Sequence, residues 1–121
     1  MKILVFDDDK DIIDLMQDTL ETDGHQIICA LEGKECVARV KEDREIELII
    51  ADIRVPVMDG FDTIQVLRDL RLDPPVPIIV MAGFVGPEEV AKSASLGISQ
   101  VLEKPVSLED LRSAIQTAVK T

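Results

Sequence analysis

Short aliphatic runs alternate along this chain with segments whose apolar positions recur every three or four residues. The runs are Ile3 to Phe6, Gln26 to Ala30, Leu48 to Ala51, Pro77 to Ala82 and Ser99 to Glu103, and they are rich in Ile and Val. They predict strands covered on both faces, because a strand with one solvated face alternates apolar with polar residues. The first, third and fourth runs carry this signature most clearly.

The intervening segments have helical spacing. Ile12, Ile13, Met16 and Leu20 share one face, and Gly24 is the expected stop beyond them. Val37 and Val40 mark a weaker second helix. Phe61, Ile64, Leu67 and Leu70 mark a third, ended by Pro74 and Pro75. Pro87 with Glu88 and Glu89 suits the first turn of a fourth, where proline lacks a needless donor and carboxylates meet the positive end of the dipole. Ser107 with Asp110 resembles a capping box ahead of the stripe Leu108, Leu111, Ile115 and Ala118. Strand–helix units joined by short connectors imply a parallel sheet with helices on both faces, and right-handed crossovers leave only a few doubly wound topologies. With no internal repeat, low-complexity tract or linker, one domain is expected to span residues 1–121.

Composition narrows the functional classes. Hydrophobic residues make up 46% of the chain and aromatics 2%, all Phe, so aliphatic side chains must build an ordinary globular interior. The net charge of −11 repels phosphate backbones and anionic headgroups, which argues against nucleic acid or membrane as a partner of this chain itself. Most of the acidic excess serves solubility, but Asp7-Asp8-Asp9, directly after an apolar run, needs its own explanation. Cys29 and Cys36 form no C-x-x-C pair and are expected to be reduced and partly buried in a cytosolic protein. His25 follows Gly24 at a turn and is expected on the surface. The chain opens without a signal peptide's basic region and apolar run, and no apolar stretch approaches a membrane span, so a cytoplasmic location is expected.

Open parallel sheets bind ligands beyond the carboxyl ends of their strands. That edge carries Asp7 and Asp8 after the first strand and Asp52 after the third. It carries Ala82 and Gly83 after the fourth, and Lys104 and Pro105 after the fifth. Carboxylates from distant parts of the sequence are therefore expected in one crevice with one amine. Clustered carboxylates repel, so either some pKa values rise or a cation sits among them. Oxygen ligands on loops that leave room for water favour Mg²⁺. A carboxylate beside such a metal can attack phosphorus, and Lys104 supplies a point charge to a phosphoryl oxygen. Taken singly, Asp9 reads as a helix N-cap, Asp59-Gly60 as a turn and Lys104 as a solvated side chain. Asp52 is different, because a lone carboxylate ending an apolar run is costly without partners.

These residues carry a resemblance. Ile3-Leu4-Val5-Phe6-Asp7-Asp8-Asp9 looks like the first-strand signature of bacterial response-regulator receiver domains. Asp52-Ile53-Arg54-Val55-Pro56-Val57-Met58-Asp59-Gly60 looks like their phosphoacceptor loop, and Glu103-Lys104-Pro105 like their closing Lys-Pro element. The likeness runs essentially the full length of the chain. It implies a flavodoxin-like sheet of order 2-1-3-4-5 with five helices, and a signalling role rather than an enzyme's. Asp52 would accept a phosphoryl group from a phosphohistidine on a partner kinase or phosphotransfer protein. Asp8, supported by Asp7, would hold Mg²⁺ with Asp52 and the backbone carbonyl of Arg54. Lys104 and the backbone at Ala82 and Gly83 would contact the phosphate. The Lys104–Pro105 bond would be cis, and a downstream protein or effector domain would read the result. Arg54 and Phe84 stand where the family tunes hydrolysis, and both are bulky.

The sequence departs from the family at two positions. Receivers usually carry Thr or Ser where this chain has Ala82, and an aromatic residue where it has Val101. The hydroxyl that bonds the phosphate and the ring that follows it inward are both missing. A second reading is therefore a pseudo-receiver that binds a partner regardless of phosphorylation. A third, a haloacid-dehalogenase-type enzyme with Asp7 as nucleophile in Val5-Phe6-Asp7-Asp8-Asp9, is weakened by Asp11 where Thr or Val is expected and by the short chain.

Overall fold

A computed structural model describes residues 1–53 and 58–119. Strands and helices alternate as β1 (Lys2–Phe6), α1 (Lys10–Thr22), β2 (Gln26–Ala30), α2 (Gly33–Glu42), β3 (Leu48–Ile53), α3 (Met58–Asp69), β4 (Ile78–Ala82), α4 (Pro87–Ser95), β5 (Gln100–Glu103) and α5 (Leu108–Val119). The sheet is parallel throughout in the order β2-β1-β3-β4-β5, as the resemblance implies. Strand order reverses between β1 and β3, which opens a crevice at their carboxyl ends.

Adjacent residues of each strand face opposite layers, so an unbroken aliphatic run feeds two cores at once. Leu4, Ile49 and Val80 pack with Val40, Phe61, Ile64 and Leu67 of α2 and α3. Val5, Ile50 and Ile79 pack with Ile13, Met16 and Leu20 of α1 and Leu111 and Ile115 of α5. Coverage on both faces holds fully for β4, whose five residues are all buried. It does not hold for β5, which has no buried residue because it lies at an edge of the sheet.

Local chemistry sets the helix ends. Asp9 caps α1, its carboxylate accepting from the Asp11 amide at 2.9 Å, and Gly24 takes φ +93° just past the end. Pro87 opens α4, where Glu89 Oε1 accepts from the Gly86 amide at 2.9 Å. Ser107 Oγ accepts from the Asp110 amide at 3.0 Å. Three expectations need correction. Cys36 is fully rather than partly buried, because it faces the α2 side of the core, and burial pushes its thiol up to about 12. Leu108 leaves the stripe of α5 and is exposed, lining a cleft beside Lys104 instead of packing on the sheet. His25 is half-buried, its Nδ1 lying 3.2 Å from the amino terminus.

The two-layer core makes a simple prediction for urea unfolding. Ile49→Ala, at a position 1% exposed, should cost about 2–5 kcal/mol through lost transfer energy and the cavity left behind. Val66→Ala, at an exposed position of α3, should stay within about 0.5 kcal/mol of the parent. Equal losses would contradict the assignment of the core.

Candidate functional site

Phe6 lies opposite Ala51 in the β1–β3 register, so the next residue of each strand, Asp7 and Asp52, emerges side by side. The Asp7 amide continues the strand pairing by donating to the Ala30 carbonyl at 3.1 Å. Asp7 is wholly inaccessible to solvent, and its Oδ1 accepts from the Asp9 amide at 2.9 Å. Asp52 is buried opposite Met81 of β4. Across β4, the Lys104 amide donates to the Ala82 carbonyl at 2.8 Å, fixing the loop after β5. From there the Lys104 ammonium ion-pairs with Asp52 Oδ1. The Lys104–Pro105 bond is cis, as the resemblance implies.

Burial raises the Asp7 pKa most, followed by its hydrogen bond with Asp52, and the value reaches about 7. The Asp9 amide pulls the other way, and the charge of Asp52 and a hydrogen bond with Asp8 add to the rise. Asp7 therefore keeps its proton to a higher pH than an ordinary aspartate. Asp8 is exposed beside it. Among the described residues, Asp7, Asp8 and Asp52 are not arranged as a ready-made metal cluster; Asp8 is exposed, and Asp52 is ion-paired with Lys104. The donor set still fits a hard cation. It is all oxygen, and it includes a carboxyl whose pKa burial and the neighbouring carboxylates raise.

Of the expected phosphate contacts, Ala82 is buried and its backbone ends β4, while Gly83 is exposed beside it. Val101 is half-buried opposite Val80. Phe84 is 65% exposed, and its ring lies so close to Gly86 that a Cβ there would come within 2.8 Å of it. Arg54 lies outside the described residues, as do Val55, Pro56, Val57 and the side chain of Asp59.

A cleft of about 680 Å³ between α1 and α5 runs up to Asp52 and Lys104. Met16 and Leu111 form part of its buried lining, and Leu15, 68% exposed, stands at its rim with Leu108. Sequence reasoning missed this surface. Its signal was Leu15, an apolar residue next to the inward stripe of α1 rather than on it.

The family model described as "Response regulator receiver domain" matches residues 3–116. The chain is 30% identical over 109 residues to the response regulator SaeR of Staphylococcus epidermidis, covering 90% of this chain and 46% of that protein. It is 29% identical over 117 residues to the transcriptional regulatory protein ZraR of Salmonella typhimurium, covering 97% of this chain and 26% of that one. The chain thus spans about half or less of these curated relatives. Among solved structures, the chemotaxis protein CheY4 of Vibrio cholerae superposes with a TM-score of 0.87 at 27% identity, covering 97% of each chain.

The raised pKa of Asp7 has a measurable sign. The native state keeps a proton that the unfolded chain loses above its ordinary carboxyl pKa, so stability in metal-free buffer should fall as pH rises towards 7. His25, whose pKa is lowered chiefly by burial, adds an opposite slope, which cancels when variants are compared. Urea unfolding between about pH 5 and pH 7.5 should therefore show a fall in the parent relative to Asp7→Asn. Parallel profiles would remove the buried proton from the account.

Proposed function

The chain belongs to the response regulator receiver domain family, and from that membership we propose that Asp52 accepts a phosphoryl group from a partner kinase's phosphohistidine. The observation that carries this reading is the setting of Asp52, buried at the end of a central strand between the buried carboxyl of Asp7 and the ammonium of Lys104. A carboxylate so placed is a nucleophile with one face towards the cleft. As its oxygen bonds to phosphorus, the phosphorus–nitrogen bond of the phosphohistidine breaks and the imidazole takes a proton from solvent.

Lys104 then transfers its charge from the carboxylate to a phosphoryl oxygen, and the backbone amide of Gly83 offers a further donor. Mg²⁺, held by Asp8 and Asp52 with support from Asp7 and the Arg54 carbonyl, would offset the repulsion between carboxylate and phosphate. Metal binding there would also favour release of the Asp7 proton. The domain on this reading occupies residues 1–121 of a cytoplasmic signalling protein and catalyses nothing beyond its own phosphorylation and dephosphorylation. The kinase or phosphotransfer protein approaches through the cleft rimmed by Leu15 and Leu108, and a downstream protein or effector domain reads the outcome. Phe84, exposed beside the site, and Arg54 restrict the hydrolytic water and prolong the phosphorylated state. With a net charge of −11, the chain itself does not bind nucleic acid or membrane. No helix among the described residues is long and apolar enough to cross a membrane.

One observation favours the second reading, a pseudo-receiver independent of phosphorylation. Ala82 puts a buried methyl where the family uses a hydroxyl, and Val101 replaces the aromatic partner.

Two measurements separate these readings. An acyl phosphate with Mg²⁺ should add one phosphoryl mass to the parent and none to Asp52→Asn. Undiminished labelling of the variant would end the acceptor assignment, and absence of labelling in the parent would favour the pseudo-receiver. A phosphate mimic should also perturb the backbone resonances of Phe84 to Leu96 and Gln100 to Glu103 more in Ala82→Thr than in the parent, because a charge-assisted hydrogen bond contributes about 1.5–3 kcal/mol. Equal perturbation at matched saturation would mean that phosphate reaches this surface by another route.

A further inference from the structure

The seating of α4 differs from that of the other helices. Its one buried side chain is Ser93, whose hydroxyl makes no hydrogen bond among the described residues, while Val90 is 53% exposed. The aliphatic anchors lie outside the helix, with Val85 before it and Leu96 and Ile98 after it. At its start, Glu89 Oε1 accepts from the Gly86 amide. At its end stands Arg68 of α3. Its Nε donates to the Leu96 carbonyl at 2.7 Å and its Nη2 to the Gly97 carbonyl at 3.0 Å. Its Nη1 donates to the Val76 carbonyl, ahead of β4, at 2.9 Å.

We propose that α4 is retained by its two ends rather than by its face, and that Arg68 is the positioning residue that fixes its C-terminal end. Three segments meet at one planar fork. A guanidinium offers several donors in fixed directions, which a lysine ammonium cannot reproduce at once. Its positive charge also sits where the dipole of α4 is negative. The face of α4 resists displacement only weakly, because burying a lone hydroxyl without a partner opposes seating rather than favouring it. The Leu96–Gly97 corner is therefore the directed, hydrogen-bonded hold on α4, while its first turn is held by the Glu89–Gly86 bond and by Val85. This inference rests on the hydrogen bonds of Arg68 and holds whether or not Asp52 is the acceptor.

Hydrogen–deuterium exchange on the full chain tests it. In the parent, amides of α4 should exchange faster than those of α1 and α5. Arg68→Met keeps the aliphatic stem and removes the donors. It should speed exchange from Val90 to Ser99 by about tenfold or more, with Gly97 and Ile98 affected most and α1 and α5 nearly unchanged. Arg68→Lys should give an intermediate increase in the same segment, which keeps the test available if the methionine variant folds poorly. Ser93→Ala should slow exchange in α4 in the parent and in either Arg68 variant. Equal acceleration of every helix would reduce Arg68 to general stability and overturn the proposal. So would unchanged exchange of α4 in the Arg68 variants, or faster exchange in Ser93→Ala.

Discussion

Parallel pairing of β1 with β3 puts Phe6 opposite Ala51, so the carboxylates of Asp7 and Asp52 must leave the sheet side by side. Both are buried, and two like charges in a poorly solvated space cannot both persist without compensation. The rest of the edge supplies that compensation. The Asp9 amide bonds Asp7, the Lys104 ammonium pairs with Asp52, and a proton remains on Asp7 to nearly neutral pH. The site is an electrostatic problem posed by strand register and partly answered by protein groups, which leaves room for an exogenous cation or phosphate to complete the answer.

Lys104 reaches this position because of how the sheet is ordered. Its β5 neighbour Glu103 pairs with Ala82 of β4, and Ala82 in turn pairs with Ile53 of β3. The lysine stem therefore crosses the end of one intervening strand to meet Asp52. The residue of β4 that it passes, Ala82, is also the one that lacks the hydroxyl expected of the family.

Much of this was legible in the sequence, and the reasons are physical. Strands covered on both faces read as unbroken aliphatic runs, which is why β1, β3 and β4 were plain and edge strand β5 less so. Asp52 stood out because it ends such a run, and Asp9 because an N-cap has a local signature. Tertiary events were not legible. Asp7 and Asp8 read alike in sequence, yet one is fully buried and the other exposed. Leu108 fits the stripe of α5 by spacing but faces the cleft. Nothing local to Arg68 in the sequence reveals that carbonyls from two later segments converge on it.

The weak face of α4 bears on the missing hydroxyl. A ligand shifts a conformational equilibrium only by its differential affinity for the two states, so losing one differential contact reduces the work that phosphate can do. The work required is not fixed, however. A helix that buries aliphatic residues must break that packing to move, at a cost that grows with the apolar area exposed. Here α4 buries only Ser93, and its aliphatic anchors lie beyond its ends. Displacing its first turn while the Arg68 contacts stay intact would unseat Val85 but no aliphatic side chain of the helix itself. In the reading proposed for Asp52, a smaller driving force from Lys104 and the Gly83 amide then acts on a helix that needs less force to move. Ala82 and the polar underside of α4 are on this account matched features of one switch with a low threshold.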